Sequence, residues 1–348
     1  MTSRVLLAAL LSVPMLAPLA AQTGDCEPHG NVKFICGVVS PEDLVAVPRS
    51  EWVIASGYTR GAVHVVNTRD FKTTQVYPVA SPRERHDKTT YGSCPGPMDP
   101  GEKEKFSAHG LAVREGKARV HTVYLVHHGF RESIEVFEID AQPQAPTFTW
   151  VGCVVAPASV ALNSVTRLPG GGFAATNPNR RGPAANNTPT NTGEAWEWTP
   201  KGGWTIVPGS ESLGPNGIEI SRDGQWYYIN LWPARKVMRL SRGQTPVKKE
   251  EVDVAFQPDN IRWQPDGTLF AAGHGGPTTP RVIECLMKVC PDATSNVARI
   301  DPKTMKVQQL ITYPANEKFF SSTSALQVGK EVWIGTITGN RIARYPLP

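Results

Sequence analysis

Oxygen-bearing side chains recur in this chain at six corresponding places: Glu42-Asp43, His109 (the one imidazole in the series), Asn163, Asn216, Asp259-Asn260 and Ser324. Each stands just ahead of a short apolar strand and a turn. Carboxylate and amide oxygens gathered at six to eight coordination are what a hard divalent cation takes. Calcium suits such a set best, because magnesium demands stricter octahedral geometry and zinc prefers nitrogen or sulfur. His128 and His274 end strands that follow two of these heads, so they face the same place as His109. A neutral imidazole beside a cation is suited to act as a general base. Two plainer readings compete: Asx residues that only form turns, and an ion that only pins the fold.

The elements that carry these residues repeat. The heads open EDLVAVPRSEWVIASG, HGLAVREGKARVHTVYLVHH, NSVTRLPGGGFAATN, NGIEISRDGQWYYIN, DNIRWQPDGTLFAAGH and SALQVGKEVWIGT. Each pairs a short strand with an apolar or aromatic one across a turn, and Asp-Gly marks tight hairpins at 223–224 and 266–267. Further strands follow in each unit, such as AVHVVNT, IEVFEID and KVMRLSR. Six units of about four strands predict an all-β, six-bladed β-propeller. The last unit is one strand short, and VKFICGVV (32–39) is available to complete it and remove an exposed sheet edge. A two-sheet sandwich does not explain six hairpin heads.

In a propeller the inner strands start at one end of a central channel, so the heads converge on one small circle. Burying an unpaired polar group there costs roughly 2–7 kcal/mol, and a charge far more, so a cation in the ring is the expected compensation. The stretches 81–106, 177–193 and 275–296 all fall on connections at that end and would wall a pocket.

Composition bounds the rest. The 348 residues carry a formal charge of +5 without a dense basic run; Arg180-Arg181 and Lys248-Lys249 read as solvated surface, and no nucleic-acid footprint is present. Residues 1–21 have the layout of a cleaved secretory leader, which leaves 22–348 as one propeller domain, secreted or periplasmic, with no stable membrane insertion. Six cysteines fit that compartment; Cys26–Cys36 and Cys285–Cys290 are the local pairs, which leaves Cys94–Cys153. No G-x-S-x-G elbow, H-E-x-x-H helix or phosphate-cradling glycine loop occurs.

From Glu42 onward, PEDLVAV, SAHGLAV, VYLVHH, LNSV, NGIEISRDGQWYYIN, DNI and VWIGT stand in an order and spacing that resemble the paraoxonase and arylesterase family, within the wider group of senescence-marker-type gluconolactonases. The resemblance implies a catalytic calcium held by Glu42, Asn163, Asn216, Asp259 and Asn260. It implies a histidine pair matching His109 and His128, and pocket positions matching His274 and Thr336. Two features depart from it: Ser164 stands where the second, structural calcium would want an Asp beside Asp43, and no cysteine follows Cys290 to bridge the chain ends. The expected activity is calcium-dependent hydrolysis of a small lactone or aryl ester by a His-assisted water. The alternatives are a metal-dependent isomerase or lyase acting on a cyclic or aromatic metabolite, and a non-catalytic, calcium-stabilised binding propeller.

Overall fold

In the first, third, fourth and fifth repeats burial falls off from the second strand to the outermost one, and the fold follows that gradient. Second strands such as Phe173–Asn177 and Leu269–Gly275 are buried along their whole length, whereas fourth strands such as Lys249–Asp253 are mostly exposed. Strands buried on both faces need neighbours on both faces, which radially packed sheets provide. The computed structural model describes residues 26–58, 61–183 and 185–348, and the leader expected over 1–21 lies outside them.

The chain forms a six-bladed β-propeller of antiparallel blades. Their innermost strands are Pro41–Ala46, Ser107–Arg114, Val165–Arg167, Pro215–Ile220, Gln257–Trp263 and Ser322–Val328, for blades 1 to 6 in chain order. Each of these touches the next, and the sixth touches the first, which closes the circle. Blade 2 carries an extra short strand, Arg83–Glu84, parallel to its outermost strand. In blade 6 the outermost position is held by Lys33–Cys36, paired antiparallel with Arg341–Pro346.

The core lies between blades. Tyr77 of blade 1 packs edge-on against Phe106 and Phe137 of blade 2, and Tyr227 and Ile229 of blade 4 pack against Ala174 of blade 3. Each such buried side chain contributes about 2 kcal/mol, so these seams hold the blades and leave the polar channel free for other uses. The Asp-Gly hairpins form as the sequence predicts, with Gly224 and Gly267 in the left-handed region (φ 72° and 82°). Three disulfides, Cys26–Cys36, Cys94–Cys153 and Cys285–Cys290, are consistent with an oxidising compartment. Among the described residues, no helix is long and apolar enough to cross a membrane.

Candidate functional site

The heads sit on backbone irregularities. Pairing of the innermost strand with the second slips between Pro41 and Asp43, Ala108 and Leu111, Pro215 and Ile218, Pro258 and Ile261, and Ser322 and Ala325. Each slip is a β-bulge, which turns a side chain out of the sheet alternation. Glu42, His109, Asn216, Asp259, Asn260 and Ser324 all fall inside these bulges. In blade 3, Asn163 precedes the regular strand and bonds through its backbone to Thr176 and Gly110. Two heads are followed by glycine for a steric reason. A Cβ on Gly110 would stand 2.6 Å from the Asn163 carbonyl oxygen, and one on Gly217 would stand 2.4 Å from that of Asp259.

The structure brings the ring together. Asn260 Nδ2 donates to Glu42 Oε1 (2.6 Å), and His109 Nε2 lies 3.8 Å from the same oxygen. Glu42, Asp259, Asn260 and Ser324 are buried; Asn163 and Asn216 are half-buried. Three oxygens of this ring, Glu42 Oε2, Asn216 Oδ1 and Ser324 Oγ, are buried without a hydrogen-bond partner. Burial, with repulsion from Asp43 and Asp259, pushes the Glu42 carboxyl well above the usual range, against the pull of the Asn260 amide. Burial and Asp43 likewise push Asp259 up to about 8, opposed by Asn216. A ring of two carboxylates, three amides and a hydroxyl, with several oxygens unsatisfied, has the chemistry that a hard cation completes.

A chain of histidines leads away from the ring. His128 Nε2 lies 3.0 Å from His109 Nδ1, and His128 Nδ1 lies 2.9 Å from Glu132 Oε2. The other Glu132 oxygen accepts the Leu162 N–H (2.6 Å), so both oxygens act as acceptors and His128 Nδ1 must carry the proton. In neutral His128, Nε2 is then the acceptor, and His109 Nδ1 donates to it. That leaves the His109 Nε2 lone pair facing Glu42 and the ring. Burial, then the neighbouring His128, holds the His109 pKa well below its ordinary value. Tyr58 packs over this imidazole at 4.6 Å between ring centroids. A cavity of about 660 Å³ opens beside the pair, lined by Tyr58, Phe106, His128, Glu132 and Arg181 among others. Lining residues from 81–106 and 177–193 bring two of the long connections to this mouth.

The two pocket positions expected from the sequence, His274 and Thr336, are both buried and hydrogen-bonded. His274 is buried: Trp232 Nε1 donates to its Nδ1 (3.1 Å), which puts the imidazole proton on Nε2, 3.7 Å from Asp259 Oδ2. Burial keeps it neutral, with a pKa lowered to about 3. Thr336 is also buried, and its hydroxyl donates to the Phe320 carbonyl (2.7 Å). Asp43, next to Glu42, is ion-paired with Arg262 instead of facing the ring. The sequence reading missed Tyr58, Glu132, Trp232 and Arg262. Glu132 was within reach, since a carboxylate four residues beyond the strand end at His128 is placed to turn back onto it.

Among the described residues, the one grouping of three histidine, cysteine or acidic side chains that lies close enough to share an ion is Cys285, Cys290 and Asp292. Its two cysteines are joined in a disulfide and have no free thiolate to offer.

No family model matches the chain, and no curated protein matches it by sequence. Solved structures do. A gluconolactonase from Xanthomonas campestris aligns with a TM-score of 0.56 and 14% identity, over 91% of this chain and 89% of its own. A luciferin-regenerating enzyme aligns at 0.54 and 12%, over 90% and 94%. A streptogramin B lyase aligns at 0.51 and 11%, over 91% and 97%. At such identities the likeness carries the propeller fold, and the three named chemistries differ.

Proposed function

We propose that the chain is a calcium-dependent hydrolase of lactones or related esters, acting where the ring meets the histidine pair. One observation carries this reading: partnerless buried oxygens on Glu42, Asn216 and Ser324 share a ring with a histidine whose free nitrogen faces it. Left alone, each such oxygen costs about 1–3 kcal/mol, more for the carboxylate, so their retention asks for a ligand. Glu42, Asn163, Asn216, Asp259 and Asn260 would hold the calcium, in keeping with the resemblance to paraoxonases and gluconolactonases. When bound, the ion supplies Lewis-acid polarisation of a substrate carbonyl.

The rest is done by the chain. His109 Nε2 takes a proton from an attacking water. His128 and Glu132 hold the other nitrogen protonated and stabilise the positive charge that develops on the pair. Tyr58 covers the imidazole and limits solvent. His274, held by Trp232 in its Nε2–H tautomer, faces the Asp259 carboxylate at 3.7 Å.

The test is hydrolysis of a panel of γ- and δ-lactones and phenyl acetate by the mature protein, in chelator and with calcium restored. Activity that disappears and returns, with isotope-labelled water incorporated into the product, is the expected result. Calcium-dependent turnover without label would mark a lyase or isomerase. No turnover on any member, with calcium bound and His109→Asn without effect on ligand binding, would leave a binding propeller.

A further inference from the structure

Arg262 lies on the innermost strand of blade 5, two residues beyond the ring amide of Asn260, with 2% of its surface exposed. Four of its five N–H groups are used within the channel. One terminal nitrogen pairs with Asp43 Oδ2 and donates to the Leu111 carbonyl (2.8 Å). The other donates to Glu219 Oε1 (3.3 Å) and to the Ile261 carbonyl (3.0 Å). These partners come from the inner strands of blades 1, 2, 4 and 5. Thr166 of blade 3 donates to the other Glu219 oxygen (3.1 Å), so five blades meet around one guanidinium.

A planar, permanently charged fork suits two carboxylates and a set of carbonyls approaching from several sides. Asp43 is the carboxylate that a second, structural ion would need, and its Oδ2 also accepts the Leu111 N–H (2.7 Å). Ser164, which would have to be acidic for such an ion, is fully buried, and its hydroxyl oxygen accepts the Ile218 N–H (3.3 Å). Two cations cannot share the Asp43 oxygen at hydrogen-bond distance without strong repulsion, and Glu219, the other carboxylate of the cluster, already has both oxygens engaged, by Arg262 and by Thr166.

We propose that Arg262 is a cation built into the chain that closes this lower position to metal, so that the channel takes a single divalent ion, in the ring. Only the count of one rests on the proposed ring site; the closure itself does not. The experiment is calcium stoichiometry by equilibrium dialysis with elemental analysis, together with melting curves in chelator and in calcium. Wild type should bind one ion. Arg262→Ala should melt well below wild type in chelator, bind one ion more, and recover a larger part of its Tm on calcium addition than wild type gains. Arg262→Lys, which keeps a charge, should stay at the wild-type count. If Arg262→Ala folds only when calcium is present, that dependence is the expected rescue. Two ions on wild type, or an Arg262→Ala variant that gains neither an ion nor calcium-dependent stability, would overturn the proposal. No ion on wild type and one on Arg262→Ala would sink the ring reading and leave this one intact.

Discussion

Glu42 and Asp43 are adjacent, both fully buried acids at the head of one strand, and the protein treats them in opposite ways. Asp43 is finished. One of its oxygens accepts the Leu44 N–H (2.8 Å), and the other accepts the Leu111 N–H and pairs with Arg262. Glu42 is unfinished, with one oxygen on the Asn260 amide and the other on nothing. A closed cluster is a structural part, since each of its carboxylate oxygens finds a partner from within. An open cluster of the same residue types, held rigid by bulged strands, is a receptor. The bulge between Pro41 and Asp43 is what sends two neighbouring carboxylates to two different jobs.

The strongest way to break this contrast is to neutralise each acid in turn. Glu42→Gln should lower kcat/KM by about a thousandfold, the scale of losing electrostatic stabilisation of the developing charge when the ring no longer holds its ion. Its melting point in chelator should stay near wild type, because a neutral amide of the same shape replaces a carboxyl that burial already disfavours in its charged form. Asp43→Asn should do the reverse. Leaving Arg262 short of a partner should cost about 3 kcal/mol of stability, while kcat/KM of the folded protein stays within a few-fold. Activity assays and melting curves on the two variants decide the matter. If the folded Asp43→Asn protein is as inactive as Glu42→Gln, the division between structural and receptor acids is wrong.

Glu132→Gln probes the receptor side more finely. An amide can accept from His128 or donate to it, so the tautomer of the pair is no longer fixed. We expect kcat to fall by about 10- to 100-fold, as for other residues that orient a reacting imidazole, with KM little changed and the acid limb of the pH–rate profile displaced. A purely structural Glu132 would lower stability and leave that limb where it was.

How much of this was legible in the sequence follows from where each contact is made. The six heads could be read because each is local, a polar residue at a fixed offset before an apolar strand and turn, and because circular closure converts a linear repeat into a ring. The propeller and the ring residues followed from that alone. Arg262 could not be read this way. It belongs to the same DNIRW segment, but its partners Asp43 and Leu111 lie across the channel, 219 and 151 residues away in sequence. Trp232 sits on a turn just past a strand end, and its aim depends on loop geometry that no periodicity encodes, whereas the four-residue offset of Glu132 from His128 left it within reach. The same limit explains His274 and Thr336. The strand-end position of His274 was legible and Thr336 came from the resemblance, but their partners, Trp232 and the Phe320 carbonyl, were not.

The smallest expected effect concerns pH, and it tests whether the ring really is open. Without metal, Asp259 is held up to about 8 from an ordinary 3.8. Across that window the folded chain binds more protons than the unfolded chain, so stability must fall as pH rises. His274 acts in the other direction, with its pKa lowered from 6.5 to about 3. Between those values the unfolded chain binds more protons, and stability rises with pH. The buried histidines, His109 and His127 included, oppose the carboxyl below 6.5; above it Asp259 remains, joined by Glu42, whose raised pKa acts in the same direction. In chelator, Tm should therefore decline from pH 6.5 to 8. In saturating calcium the ligand carboxylates are already deprotonated in the complex, and the decline should vanish. The gap between the two melting curves should widen by a few degrees over that range, an amount differential scanning calorimetry resolves. A gap of constant width would mean that Asp259 is ionised without any metal. The ring would then be as complete in itself as the Asp43–Arg262 cluster below it, and the contrast between the two would be gone.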